Sequence, residues 1–383
     1  VLKIPSRPIE EENSISTIDL YNSEGYIDTE GIQIRYLGSS SNGEIPVYPI
    51  LDSISYNISS NIEELDIKLV DSFAFEKPTL FKTHINSIQN KPLIYVNDSS
   101  IYSIRVINPD GKESWLFLAI SLLVDDDYNN DTPGIHINRW SSIQEAVDLA
   151  SDDIIYLKPG IYHEHIIINS SIMLFGSDLS KTIIDGDGKD IALRIIDDNC
   201  IVSYITIMNS VIGVSMESNE NTLADTIIKD NKLEGISIRE DLNFSGFLPN
   251  IVVFNKIYNS TDGLYILQSS PYIAFNEVSS NNIGIYIKDS AWNTIEGNNI
   301  SENHLGIYIE GKLDGNLVLQ NNFINNDRHA MFSQSKKNVW LMNYWGRPYI
   351  LPKIIVGHIG KLGLIPWIDV DPIPAAKPWL FSL

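Results

Sequence analysis

The chain has 383 residues, 43% of them hydrophobic and 20% charged, enough to bury a large core in two or three domains. Its formal net charge of −22 argues against nucleic acid and against an anionic membrane surface, since both would repel it. Cys200 is the single cysteine, which excludes an intrachain disulfide and a cysteine metal cluster.

The first twenty residues, with Pro5, Pro8 and the run Glu10-Glu11-Glu12, read as an extended arm. The chain opens on Val1 without a charged-then-apolar leader, which reads as a processed mature protein or, as the second choice, a trimmed piece of a longer one. Residues 21–124 hold short alternating stretches at 32–36, 65–70, 93–96 and 101–106, separated by Asn, Ser, Gly and Pro turns, a pattern that predicts a β-sandwich. The run from Leu116 to Val124 is too short to cross a bilayer and reads as a buried strand, so no transmembrane segment is expected. Residues 125–137, with their acidic and breaker residues, form a linker.

After the linker, Ser142-Ile-Gln-Glu145 is a capping box, and Ile143, Ala146, Val147 and Ala150 follow at helical spacing. A short amphipathic helix here would lie across the open end of a strand stack. Between residues 213 and 334 one phrase then recurs: a small residue, an apolar one, an outward one, an apolar one. Its copies begin at Gly213, Gly235, Gly263, Gly284, Gly306 and Ala330, at steps of 22, 28, 21, 22 and 24. That period is one coil of a parallel β-helix. The expected architecture is all-β: a sandwich at 21–124, then a right-handed parallel β-helix at 138–339 with its capping helix, then an aromatic, proline-rich cap at 340–383 holding Trp340, Trp345, Trp367 and Trp379.

The period of two sends the second and fourth positions of each phrase inward and the third outward. The outward column reads Ser215, Ser237, Tyr265, Tyr286, Tyr308 and Phe332, an aromatic ladder, flanked by Glu217, Arg239, Lys288, Glu310 and Gln334. Asn255, Asn276, Asn298 and Asn322 recur eight residues before the leading small residue and suit a structural ladder of side-chain hydrogen bonds. The step of 28 holds an inserted loop, 239–250, beside the aromatic column, and departures from a regular array often carry function.

The order Ser142-Ile-Gln-Glu-Ala, Ile155-Tyr-Leu-Lys-Pro-Gly-Ile-Tyr-His-Glu, Ile172-Met-Leu-Phe-Gly and Thr182-Ile-Ile-Asp-Gly, continued through the repeats to Asn343-Tyr-Trp-Gly-Arg-Pro, resembles parallel β-helix proteins of the NosD-like and pectin-lyase-like group. Many archaeal surface proteins share the pattern. The resemblance covers residues 138–380 and implies extracytoplasmic placement, three sheets per coil and carbohydrate contact.

For chemistry, sugar rings could stack on the outward aromatics; the same column could equally be a stabilising stack or an assembly interface. The best acid–base pair is Glu310 with Lys288. Of the motifs that mark pectin-degrading relatives only Asp197-Asp198 has a counterpart, which argues against an enzyme; if there is an activity, it is that of a polysaccharide lyase or glycoside hydrolase. Asp185, Asp187 and Asp190 are calcium candidates, while copper processing would ask for a soft-ligand cluster that five Met, one Cys and seven His do not form. N-glycosylation sequons stand at Asn57, Asn97, Asn130, Asn169, Asn243, Asn259 and Asn299. The first functional reading is a secreted or cell-surface structural protein that self-associates into a layer, sheath or filament, its arm lending a strand to a neighbour. The alternative is an extracellular polysaccharide-binding or polysaccharide-processing protein.

Overall fold

The computed structural model describes residues 122–132, 139–150, 154–239, 248–313, 315–360 and 364–381 in full and, before them, the backbone of strands within 2–120. The chain divides into two compact units, 1–141 with 153–156, and 142–152 with 157–383.

In the first unit one sheet is ordered Gly25–Tyr26, Ile18–Asn22, Ser53–Ile58, Lys91–Tyr95, all antiparallel. A second is ordered Val47–Tyr48, Glu113–Ile120, Ser100–Ile107, Glu64–Val70, Glu76–His84, antiparallel except for its first pair. The strand expected at 32–36 and the packing of a sandwich core lie outside the described residues, and the first twenty residues are not all a free arm: Leu2–Lys3 pairs antiparallel with Glu44–Ile45, and Ile18–Asn22 begins within them.

In the second unit each coil from Thr222 on has three strands, while in the coil before it one long strand, Thr206–Met216, covers two sides and pairs with both Ile227–Lys229 and Glu234–Arg239. Ile251–Val253, Lys256–Tyr258 and Asp262–Leu267 make one coil, and Tyr272–Ala274, Glu277–Ser279 and Ile283–Lys288 lie on it strand for strand, parallel and in register. Val252, Ile257, Leu264 and Ile266 point inward, as do Ile273, Val278, Ile285 and Ile287 above them, all at 0% exposure. Each such side chain contributes about 1.5–3 kcal/mol of burial. The helix Ile143–Leu149 buries Ile143, Ala146 and Val147. Ser142 Oγ accepts from the Glu145 N–H, but the N–H groups of Ile143 and Gln144 go to Glu164, at 2.8 and 2.9 Å.

The corners explain the asparagines. At the first corner, Oδ1 of the next coil's asparagine accepts both the backbone N–H and Nδ2 of the one before, through Asn255, Asn276, Asn298, Asn321 and Asn343 at 2.9–3.1 Å. A second corner repeats this with Asn281, Asn303 and Asn326, and a third joins Asn293, Asn316 and Asn338. In the first two corners every rung satisfies a buried backbone N–H that the turn leaves without a sheet partner.

The recurring glycines have a steric cause. A Cβ on Gly263 would sit 2.6 Å from the Gly284 carbonyl oxygen, and one on Gly284 2.6 Å from that of Gly306. Strand pairing skips this position, matching Asp262 to Ile283 and then Leu264 to Ile285. The glycine and the residue after it therefore both face inward, and the residues on either side, Asp262 and Tyr265, both face out.

One coil corrects the expectation. Gly306 stacks on His329, not on Ala330, and Tyr308 pairs with Met331 while Ile309 pairs with Phe332. Phe332 is thus a core residue at 0% exposure and no part of the outward column. The column of asparagines likewise passes through Asn321; Asn322 instead holds the Trp379 backbone, its Oδ1 accepting from N–H at 2.8 Å and its Nδ2 donating to the carbonyl at 2.9 Å. The physical reason is that Ala330, small like the leading glycines, occupies the inward site of Ile307, so the phrase is matched one residue late.

Candidate functional site

The last strand of successive coils carries one row, Arg194, Ser215, Ser237, Tyr265, Tyr286, Tyr308 and Met331, each the register partner of the next. Contrary to expectation, Ser215 and Ser237 are buried, at 2% and 0% exposure, because Glu217 and Arg239 fold over them. The three tyrosines are half-buried. Tyr265 meets Tyr286 edge to face at 5.2 Å, and Tyr286 stacks on Tyr308 at 5.1 Å. Their faces are therefore spent largely on one another, and what the row offers outward is edges and hydroxyls. The Tyr286 hydroxyl donates to Glu310 Oε2, and burial, then this bond, hold the phenol well above its ordinary pKa. Burial raises Tyr308 and Tyr265 in the same direction.

At one end of the row Arg194 makes a two-pronged bond to Glu217, at 2.9 and 2.6 Å, and Ser215 Oγ donates to the same carboxylate. That guanidinium holds Glu217 below the usual carboxylate range. Near the middle Arg239 donates to Ser237 Oγ at 3.0 Å, lies 5.5 Å from the Tyr265 ring centroid and sits 3.6 Å from Glu234 Oε1.

Glu234 and Asp262 bring the strongest chemistry to this face. They are register partners on adjacent coils, both outward of the glycine bend. Oε2 of Glu234 is buried without a hydrogen-bond partner. Asp262 has no ion-pair partner among the described residues, and burial, then the Glu234 charge, pushes its carboxyl up to about 6. The sequence reading missed this pair because their positions vary along the stack: Ile283 and Leu305 follow them in register. The usable signal was the acidic residue directly before both Gly235 and Gly263.

The other candidates fall as follows. Lys288 and Glu310 are register partners, yet among the described residues no ion pair within 4.0 Å joins them; Glu310 is taken by Tyr286. Ser333, not Gln334, follows Glu310 in the flanking row. Residues 240–247 of the inserted loop lie outside the described residues, as do the side chains of Asn57, Asn97 and Asn243. Asn130, Asn169 and Asn259 are exposed and Asn299 half-buried.

Asp185 and Asp187 gather with His163, their ligand atoms within 4.8 Å of one another, and Asp190 does not join them. Asp187 is engaged by His163 at 2.9 Å, and Asp185 Oδ1 already accepts from the Asp187 N–H and from Asn209 Nδ2. For copper, the single thiol does not fit a soft site: Cys200 is fully buried, its thiol pushed up to about 11 by burial and aimed at the carbonyls of Ser170 and Asp197. Neither ligand cluster among the described residues contains a cysteine.

Comparison with solved structures finds the same architecture. A complex of XylC with xylose superposes with a TM-score of 0.50 at 11% identity, over 59% of this chain and 65% of that one. An alginate lyase from Paenibacillus sp. str. FPU-7 gives 0.42 at 14% identity, over 54% and 85%, and a pectin methylesterase in complex with a hexasaccharide gives 0.36 at 8%, over 68% and 90%. The likeness to XylC, at 11% identity, is one of fold, and this chain spans less than two thirds of XylC. No curated protein matches it by sequence. No described helix is long and apolar enough to cross a membrane. The family model described as periplasmic copper-binding protein (NosD) matches residues 146–351, from the helix through every repeat, and with the three-sided coils in place the chain belongs to the NosD family.

Proposed function

We propose that this protein is an extracytoplasmic polysaccharide-binding protein, with a neutral glycan lying along the coil axis over the third face. The observation that carries the reading is the outward row Tyr265, Tyr286, Tyr308, which advances one hydroxyl per coil. Coils rise by about 4.8 Å, close to the length of a pyranose unit, so successive hydroxyls can meet successive sugars. Because the rings stack on each other, hydroxyl edges and the flanking Glu310, Arg239 and Lys288 make the contacts. A neutral polymer fits best: the row's arginines already face carboxylates, and the net charge of −22 repels polyanions. The periplasmic description of the family and the xylose held by the similarly folded XylC support the same reading.

Electrophoresis through gels containing xylan, laminarin or glucomannan tests it. At least one polymer should retard the protein, and the double change Tyr286→Phe and Tyr308→Phe, which keeps the ring stack, should weaken binding about tenfold or more through two lost hydrogen bonds. Equal retardation of wild type and variant would remove the row from the site.

A further inference from the structure

We propose that Glu234 and Asp262 are a nucleophile and acid pair that hydrolyses the glycosidic bond of a neutral polysaccharide held on this face, a step that rests on the glycan reading above. Three observations place the chemistry here. The two residues are register partners on adjacent coils, outward of the glycine bend, so their backbones stand about one strand spacing apart, roughly 4.8 Å; glycosidases that retain configuration place their two carboxyl groups about 5–5.5 Å apart. Their surroundings differ as the two roles require. Glu234 has the Arg239 guanidinium at 3.6 Å, whereas Asp262 has no cation in an ion pair among the described residues. Burial beside Glu234 keeps the Asp262 proton in place up to about pH 6. Finally, Oε2 of Glu234 is a buried acceptor with no donor, and a catalytic role is one of the explanations such a group calls for.

The step balances with water as the only co-reactant. Asp262 gives its proton to the glycosidic oxygen as the bond from that oxygen to the anomeric carbon breaks, and a Glu234 carboxylate oxygen bonds to that carbon. The freed alcohol leaves. Asp262, now ionised, takes a proton from water as the water oxygen attacks the same carbon; the bond to Glu234 breaks, and both groups return to their starting states.

The test uses the full chain with the same three polymers. Wild type should release reducing ends from the polymer that retards it, with the product anomer retained by NMR. Glu234→Gln and Asp262→Asn should each bind that polymer as wild type does and lose at least a hundredfold in rate. 2-Deoxy-2-fluoro glucosyl, xylosyl or mannosyl fluoride, matched to the polymer, should add one sugar mass on the peptide containing Glu234. Binding without cleavage by wild type, inverted product, or cleavage that survives both substitutions would overturn the pair and leave the glycan reading standing. Failure to bind any of the three polymers would overturn both.

Discussion

Asp371 terminates the first asparagine column: its Oδ2 accepts the backbone N–H of Asn343 at 3.0 Å and its Nδ2 at 3.2 Å. The Trp345 indole donates to the same oxygen at 3.1 Å. Two residues earlier on the same strand, Asp369 receives Asn338 and the Trp340 indole, at 3.3 and 3.2 Å. A column of asparagines ends in donors without an acceptor, and a strand with carboxylates at alternate positions supplies two acceptors at once.

Asp371→Ala should therefore leave buried donors on Asn343 and Trp345 unmatched, at a cost of about 3 kcal/mol. In a stack where each coil contacts only its neighbours, that loss should appear first at the end of the array. Tryptophan emission, dominated at this end by the buried Trp340 and Trp345, should shift red at a lower denaturant concentration than the loss of far-ultraviolet circular dichroism. Coincident transitions for the two signals would show that Asp371 does not hold the end on its own.

Register in the last regular coil is open to a paired test. Phe332 fills the interior above Ile309, and Met331 lies outward above Tyr308. Phe332→Ala should cost about 3–5 kcal/mol, and Met331→Ala under about 1 kcal/mol, read as denaturation midpoints. Similar costs for the two would contradict the pairing.

That coil also shows where the sequence stops being legible. Period, coil length and inward positions were readable because Gly235, Gly263, Gly284 and Gly306 recur for one steric reason, the carbonyl of the next coil. At the fifth step His329 replaces the glycine, and a neighbouring small residue, Ala330, carries the eye one place along. The asparagine column was legible up to Asn298 and lost at the same step. Glu234 and Asp262 were hidden for a different reason. Function at one or two coils breaks the repeat, and a search for sameness passes over such positions. Side-chain pairing was beyond reach as well: Glu310 lies opposite Lys288 in register and bonds to Tyr286.

Gly284 offers a direct check of the steric account. Its Cβ position is 2.6 Å from the Gly306 carbonyl oxygen and 3.0 Å from Asn303 Nδ2, both parts of the rigid stack. Gly284→Ala must spread two coils and disturb a rung of the second asparagine column, so a loss of about 1–3 kcal/mol is expected. At an ordinary strand position alanine would instead gain over glycine. A melting temperature equal to or above that of wild type would refute the clash.

The Asp262 carboxyl should leave a signature in stability as well as in chemistry. Its folded pKa, about 6, lies above the ordinary value of 3.8, with burial as the first cause and the Glu234 charge as the second. The folded state thus favours the protonated form. The stability this contributes is full below about pH 3.8 and is lost as pH rises through 6. Asp262→Asn removes the charge and keeps the shape, so at pH 7.5 it should be more stable than wild type by about 1–2 kcal/mol, allowing for solvent screening of a partly exposed group. At pH 4 the two proteins should melt together, and the difference between their curves should open between pH 4 and 7. Glu234 and Arg239 face the same carboxyl and are present in both proteins, so the difference isolates Asp262. A variant that is less stable than wild type at pH 7.5 would mean that the carboxylate is welcome there, and the acid role would lose its physical basis.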